Sequence, residues 1–251
     1  TTQLLPQANA KQVELDFSAT YPTMLAGSEK QTNYLRIGLT GFDLPSAEKR
    51  PPVNVAIVLD KSGSMQGDKI EQAKTAAVEA VGRLGDDDIV SIVVYDTGVQ
   101  VLVPSTKASD REAIISAIRK IEAGGDTALF AGVSKGAAEI RKFKQDDQVN
   151  RVILLSDGLA NVGPSSTGEL TELGESMLKE GISVSTLGLG LGYNEDLMTG
   201  LASSSNGNHV FIENAQDLVA VFNNEFDDLL SVVATDFDIQ VTLKEGIRPV
   251  R

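Results

Sequence analysis

The fold follows from the stretch Val53-Asn54-Val55-Ala56-Ile57-Val58-Leu59-Asp60-Lys61-Ser62-Gly63-Ser64, in which an apolar run precedes a short polar loop. The run has the length and the β-branched residues of a buried strand. In the loop, the alternate residues Asp60, Ser62 and Ser64 can turn one carboxylate and two hydroxyls toward a single point. Oxygen ligands with little net charge suit a hard cation such as Mg²⁺. The stretch therefore predicts a buried strand that ends at a divalent-metal site.

Apolar strands alternate with amphipathic helices from residue 53 onward. We predict strands at residues 53–59, 89–95, 99–103, 152–156, 182–187 and 209–212. We predict helices at residues 68–84, 109–123, 128–142, 166–180, 194–203 and 215–233. Because residues 96–98 leave room only for a tight turn, the strand at 99–103 is expected to be an antiparallel edge strand. The pattern predicts an α/β fold with a doubly wound, mainly parallel sheet that helices cover on both faces.

Both ends of the sequence differ from this alternating body. Residues 13–17 and 35–39 alternate apolar and polar side chains, as half-buried antiparallel strands do, and residues 237–243 repeat the pattern. Because two or three strands are only marginally stable alone, we expect all three to pair in one small antiparallel β-sheet from the N- and C-terminal segments. The predicted domains are residues 1–52 and 235–251, as two parts of a β-rich domain, and residues 53–234. Further β structure is expected beyond residue 251.

Composition and charge exclude several classes of function. The 35 acidic and 22 basic residues give a net charge of −13, which opposes non-specific binding to nucleic acid or anionic lipid. The absence of cysteine excludes disulfides, thiolate catalysis and cysteine-ligated zinc. No apolar run reaches the roughly 18 residues that a membrane-spanning helix needs, so we expect no direct membrane insertion.

Two further polar loops are candidates for the same site. In open α/β sheets, ligands bind outside the carboxyl ends of the strands. The loop Gly124-Gly125-Asp126-Thr127 lies between two predicted helices, and Ser156-Asp157-Gly158 directly follows a predicted strand. Taken singly, each polar residue has a structural alternative, because Asp60 and Thr127 can cap helices and Asp157 can form a turn. Their occurrence together in one chain favours a shared site.

The three loops in this order resemble the metal-ion-dependent adhesion site of von Willebrand factor type A domains. That family supplies a D-x-S-x-S loop, then a threonine, then an aspartate, and its fold is Rossmann-like. Carried over residue by residue, the resemblance implies the metal ligands Asp60, Ser62, Ser64, Thr127 and Asp157. It implies Mg²⁺ or Mn²⁺, with Ca²⁺ less favoured, and a protein partner that presents an Asp or Glu carboxylate to the metal. The resemblance covers about residues 53–234.

The resemblance also bears on architecture and location. Insertion of such a domain into a β-rich module is similar to integrin β-subunits and, more loosely, to inter-alpha-trypsin inhibitor heavy chains. The cysteine-free body, with its segments at residues 149–158 and 161–163, resembles bacterial members of the family. This implies an extracellular, cell-surface or periplasmic location rather than a cytoplasmic one. The expected function is divalent-cation-dependent protein binding and cell adhesion.

Three enzymatic interpretations compete with this one. The segment Gly188-Leu189-Gly190-Leu191-Gly192 lacks the G-x-G-x-x-G spacing that opens a helix in dinucleotide-binding folds, so we interpret it as a loop. A Mg²⁺-dependent phosphoryl-transfer hydrolase using Asp60 and Asp157 would want several phosphate-binding cations, yet the first loop holds only Lys61. A Ser-His-Asp site is disfavoured, because His209 is the one histidine in the sequence. We expect no enzyme, and keep as the remaining alternative a scaffold whose metal only stabilises the fold.

Overall fold

The computed structural model of the chain describes residues 13–23, 30–41, 50–145, 148–232, 239–243 and 246–248. The chain divides into two compact units. One consists of Thr1–Arg50 with Val232–Arg251, and the other of Pro51–Ser231. Within the described ranges, no helix is long and apolar enough to cross a membrane.

The larger unit is built on a six-stranded sheet. The strands of the chain are β1 (Val13–Ala19), β2 (Leu35–Gly41), β3 (Val53–Asp60), β4 (Ile89–Tyr95), β5 (Val99–Lys107), β6 (Val149–Ser156), β7 (Ser183–Leu189) and β8 (His209–Ile212). The order in the large sheet is β5-β4-β3-β6-β7-β8. All neighbours run parallel except β4 and β5, which are antiparallel. The predicted α/β class and the antiparallel edge strand are therefore confirmed.

Six α-helices are present in the described part of the larger unit. They are α1 (Asp68–Arg83), α2 (Arg111–Ile118), α3 (Leu129–Ile140), α4 (Thr167–Lys179), α5 (Glu195–Ser204) and α6 (Leu218–Leu230). Side-chain caps begin three of them, since Asp110, Ser166 and Asn194 each accept a backbone N–H from the first turn. Helix α1 begins differently, because Gly67 occupies its cap position without a side-chain hydrogen bond. The last helix is shorter than predicted, because a 3₁₀ turn (Ala215–Asp217) precedes it.

The core lies on both faces of the sheet, and its central strands are buried along their whole length. Every residue of β3 and β4 is buried, as their apolar sequences predict. Helix α3 approaches these strands closely through two glycines one turn apart. A Cβ on Gly136 would lie 2.6 Å from Val58 Cγ2, and one on Gly132 would lie 2.7 Å from Tyr95 Cδ1. This close approach positions the start of α3 beside the carboxyl ends of the central strands.

The smaller unit contains a two-stranded antiparallel sheet. Strands β1 and β2 pair so that Leu15 lies opposite Leu39 and Phe17 opposite Ile37. The predicted third strand is wrong for residues 239–243, which form no strand, while residues 237 and 238 lie outside the described residues. An alternating sequence defines an apolar face, but a strand also requires a neighbouring backbone to complete its hydrogen bonds.

Candidate metal centre

The two candidate carboxylates lie at the same edge of the large sheet. Strands β3 and β6 are parallel neighbours, with Leu59 opposite Leu155. Asp60 is the last residue of β3, and Asp157 directly follows β6. Asp60 and Asp157 are 97 positions apart in the sequence. They come together because both strands end at this edge. This is the edge at which open α/β sheets bind ligands.

Asp60 is fully buried, and neutral groups satisfy its carboxylate. Its Oδ1 accepts the backbone N–H of Ser62 at 2.8 Å. Its Oδ2 accepts the hydroxyl of Ser156 at 2.7 Å. Burial raises the pKa of Asp60, while the hydrogen bonds from Ser156 and Ser62 oppose that shift. The carboxylate is thus held in one orientation by two donors that carry no charge.

The hydroxyls of the first loop connect it to the third. Ser62 Oγ and Ser64 Oγ lie 3.1 Å apart. Ser64 Oγ donates to Oδ1 of Asp157 over 2.6 Å. Ser62 is buried, whereas Ser64 is exposed to solvent. The structure therefore brings four of the five predicted ligands into one hydrogen-bonded group that opens to water at Ser64.

The fifth predicted ligand, Thr127, lies against the same group. A Cβ placed on Gly158 would be 3.3 Å from Ser64 Oγ and 3.4 Å from Thr127 Oγ1, so both hydroxyls face this glycine. Thr127 is not a helix cap, because Ala128 occupies that position in α3. Instead its backbone N–H donates to Asn161 Oδ1 at 2.8 Å. The second loop is thereby fixed to the segment that follows Asp157.

Backbone hydrogen bonds also join the first and second loops. Gly63 N–H donates to Gly125 O at 2.8 Å, and Gly124 N–H donates to Lys61 O at 2.7 Å. Gly125 has a φ of +84°, and a Cβ there would lie 2.9 Å from Thr97 Oγ1. Gly125 is therefore required both by conformation and by space, whereas a Cβ on Gly124 would meet no atom within 4 Å. The three loops form one connected structure.

Two lysines contribute positive charge around the site. Lys61 pairs with Asp96, which lies on the neighbouring loop after β4. Lys69, in the first turn of α1, donates from Nζ to Oδ2 of Asp157 over 2.5 Å. Sequence reasoning did not identify Lys69, because its role depends on where α1 lies relative to β6.

Two polar neighbours of the predicted ligands were also not recognised as functional from the sequence. Ser156 was predicted only to end its strand, yet its hydroxyl also orients Asp60. Asn161 holds Thr127 through its side-chain oxygen. The sequence shows only that Ser156 and Asn161 lie near Asp157, and this proximity does not reveal which group either side chain contacts.

The donor set has the chemistry that a hard cation requires. Two carboxylates and three hydroxyls offer only oxygen atoms, which suits Mg²⁺ or Mn²⁺. Among the residues that the structure describes, no three His, Asp or Glu side chains cluster as a metal site. That finding agrees with a set in which hydroxyls outnumber carboxylates. The residues therefore fit a divalent cation held by few charged ligands.

The glycine-rich segment at the end of β7 packs against other parts of this edge. A Cβ on Gly188 would lie 2.2 Å from the Tyr193 ring, and one on Gly192 would lie 3.3 Å from Asp157 O. His209 contacts Thr186 Oγ1 through Nδ1 at 2.9 Å and the Tyr193 hydroxyl through Nε2 at 3.2 Å. These contacts account for Gly188, Gly192 and the single histidine by packing, whereas Gly190 has a φ of +75°.

Comparisons with known proteins agree with this architecture. The von Willebrand factor type A domain matches residues 54–224. An uncharacterized protein of Synechocystis sp. is 30% identical over 218 residues, which cover 87% of this chain and 51% of that protein. Inter-alpha-trypsin inhibitor heavy chain H3 of Rattus norvegicus is 25% identical over 208 residues, which cover 79% of this chain and 23% of that protein.

Solved structures share the fold at lower sequence identity. A von Willebrand factor type A structure from Catenulispora acidiphila has a TM-score of 0.71 at 21% identity, covering 89% of this chain and 51% of that chain. Proximal thread matrix protein 1 from the mussel byssus, solved with a zinc-occupied MIDAS motif, has a TM-score of 0.60 at 21% identity. That match covers 72% of this chain and 48% of that one. At these identities the likeness establishes the fold alone.

The chain spans 51% of the length of the Synechocystis protein. It also spans 40% of the length of the uncharacterized protein YfbK of Escherichia coli, to which it is 28% identical over 229 residues, or 90% of this chain. The family match, by contrast, covers most of the sequence given and includes all three polar loops. The resemblance inferred from those loops is confirmed at the level of the domain. The chain therefore belongs to the von Willebrand factor type A domain family.

Proposed function

We propose that this chain is a protein-binding module that recognises an Asp or Glu of its partner through a bound Mg²⁺ or Mn²⁺. The observation that carries the proposal is the meeting of Asp60 and Asp157 at one edge of the sheet, where hydrogen bonds of 2.6–3.1 Å link them through Ser62 and Ser64. The family, whose members typically bind protein ligands in a metal-dependent way, supports the same assignment.

The side chains that would hold the cation are Asp60, Ser62, Ser64, Thr127 and Asp157. A bound Mg²⁺ would supply a Lewis-acidic coordination position for an incoming carboxylate oxygen. The neutral donors to Asp60 keep that carboxylate oriented without competing for its charge. The exposed Ser64 leaves one side of the group open, where a partner can approach.

We also propose that the site performs no catalysis. A phosphoryl-transfer enzyme needs cations that are free to bind the transferred group. Lys61, the one cation within the first loop, is engaged by the carboxylate of Asp96. The imidazole of His209 is bonded on both nitrogens, to Thr186 and Tyr193. These contacts favour binding over chemistry.

The predicted domain division is retained as part of the proposal. Residues 53–234 would form the von Willebrand factor type A domain, with residues 1–52 and 235–251 as parts of one β-rich domain. The grouping of Thr1–Arg50 with Val232–Arg251 in one compact unit supports this division. Limited proteolysis of the whole chain should leave a protected fragment near residues 51–231. Cleavage first within that range would contradict it.

Metal-dependent capture tests the proposed function. The immobilised chain should retain a specific protein in Mg²⁺ and release it in EDTA. Asp60→Ala should abolish both Mg²⁺ binding, measured by calorimetry, and retention of the protein. Asp126→Ala is the matched control, since Asp126 is an exposed carboxylate of the second loop outside the proposed ligand set. Retention that survives both EDTA and Asp60→Ala would overturn the proposal.

A further inference from the structure

Lys69 contacts one of the two carboxylates of the candidate metal centre. Its Nζ donates to Asp157 Oδ2 at 2.5 Å, while Ser64 donates to the other oxygen, Oδ1. The side chain of Asp157 is 0% exposed and that of Lys69 is 36% exposed. A buried carboxylate is thus paired with a cation that reaches it from the surface.

Asp60 has a different environment. Its oxygens accept hydrogen bonds from Ser62 N–H and Ser156 Oγ, which are both neutral. Within the described ranges, Asp60 forms no ion pair with a lysine or arginine, and the adjacent Lys61 is paired with Asp96. Lys69 is therefore the cation that offsets charge within the proposed ligand set.

We propose that Lys69 is the internal counter-ion of the metal site and that a divalent cation displaces its ammonium group from Asp157. The inference rests on the proposed function, since it concerns the same site. Leaving the buried Asp157 carboxylate without a counter-charge is costly, and Lys69 removes that cost when no metal is bound. Once a divalent cation is bound at Asp157, the two positive charges repel each other across a few ångströms.

The displacement is inexpensive for Lys69 itself. Its long, flexible side chain is more than one third exposed, so the ammonium group can move into water while the helix stays in place. Competition with Lys69 lowers the affinity for every cation. A monovalent ion offers no more charge than the ammonium it would replace, so the competition favours divalent ions.

Calorimetric titration of Mg²⁺ into the full chain tests the counter-ion role. Lys69→Met and Lys69→Gln should each bind Mg²⁺ at least about fivefold more tightly than the natural sequence, because a competing charge is removed. Lys74→Met is the matched control, since Lys74 lies on the same helix and pairs with Glu71 at 2.9 Å. This control removes the same charge at a position away from the ligands, so it should change the affinity for Mg²⁺ by less than about twofold.

Urea unfolding supplies a second readout that needs no partner. In EDTA, Lys69→Met should lower the unfolding midpoint more than Lys74→Met does, and saturating Mg²⁺ should reduce that difference. If Lys69→Met does not fold, Lys69→Gln takes its place, because its amide can still donate to Asp157.

The outcomes separate this inference from the proposed function. If the natural sequence binds Mg²⁺ but both Lys69 variants bind it equally or more weakly, the counter-ion role is overturned and the metal site stands. If neither the natural sequence nor the variants bind Mg²⁺, the proposed function is overturned together with the inference.

Discussion

Ser156, the last residue of β6, donates from Oγ to Oδ2 of Asp60 across the interface between two parallel strands, at a distance of 2.7 Å. Both residues are fully buried. The bond fixes the orientation of the carboxylate that ends β3. A residue outside the proposed ligand set therefore determines how the first ligand is presented.

Replacing that hydroxyl should weaken metal binding without unfolding the protein. Ser156→Ala removes a partner that orients a ligand, and such changes lower metal affinity about 10- to 100-fold. Ser91→Ala is the control, because Ser91 is a buried serine of β4 whose Oγ has no partner in the described structure. Mg²⁺ calorimetry of the two variants measures the difference. Equal affinities would show that the bond does not orient Asp60 for metal.

A buried ion pair should stabilise the position of the last helix. Glu225 of α6 accepts from Arg151 of β6 at 3.1 Å, with side chains 2% and 13% exposed. Glu225→Gln leaves the arginine without its counter-charge and should lower the free energy of unfolding by about 3 kcal/mol. The exposed pair Arg141–Glu180 is the control, since Glu180→Gln should cost less than about 1 kcal/mol. If urea unfolding showed similar losses of unfolding free energy for Glu225→Gln and Glu180→Gln, the stabilising role of the buried pair would be contradicted.

His209 should make stability depend on mildly acidic pH. Burial lowers the pKa of His209, although the charge of Glu195 partly opposes this shift. Since the folded state then binds protons less readily than the unfolded state, this contribution to stability is complete above about pH 6.5 and is lost as the pH falls through the folded pKa. Proton NMR follows the one histidine directly.

One variant serves as the comparison for this experiment. His209→Gln should remove this component of the pH dependence of unfolding. A folded-state pKa at or above about 6.5 would contradict the burial argument. The neutral ring fits its partners, because Thr186 Oγ1 donates to Met198 O and so accepts from Nδ1–H.

The close approach of α3 to the sheet should be sensitive to a single methyl group. Gly132→Ala places a Cβ 2.7 Å from the buried Tyr95 ring and should destabilise the fold by about 1–3 kcal/mol. Gly82→Ala is the matched helical control, because a Cβ there meets no atom within 4 Å. It should be neutral or stabilising by up to about 1 kcal/mol. A gain in thermal stability from Gly132→Ala would contradict the packing described here.

The fold class was predictable because its signals are local. Caps at Ser166 and Asn194 lie within one turn of the backbone they satisfy, and the periodicity of buried strands is visible in any window of the sequence. Strand order is not local, since the same alternation is compatible with several orders until the faces pack. Strand β5 extends to Lys107, beyond the predicted residue 103, because its pairing with β4 continues through polar residues.

The candidate site was predictable only in part, for the same reason. Asp60, Ser62 and Ser64 are adjacent in sequence and form a recognisable pattern. Lys69 gave no comparable signal, because its bond to Asp157 spans 88 residues and depends on the position of α1. The sequence pattern therefore predicts candidate ligands, whereas the charges around them are visible only in the folded structure.

Anomalous scattering of Mn²⁺ soaked into crystals of the protein tests directly whether the five proposed ligands hold a metal. We predict one strong peak between Asp60, Ser62 and Ser64, with Thr127 and Asp157 in direct or water-mediated contact and metal–oxygen distances of about 2.1 Å. A peak elsewhere, or a structure in which Asp60 and Ser62 point apart, would contradict it.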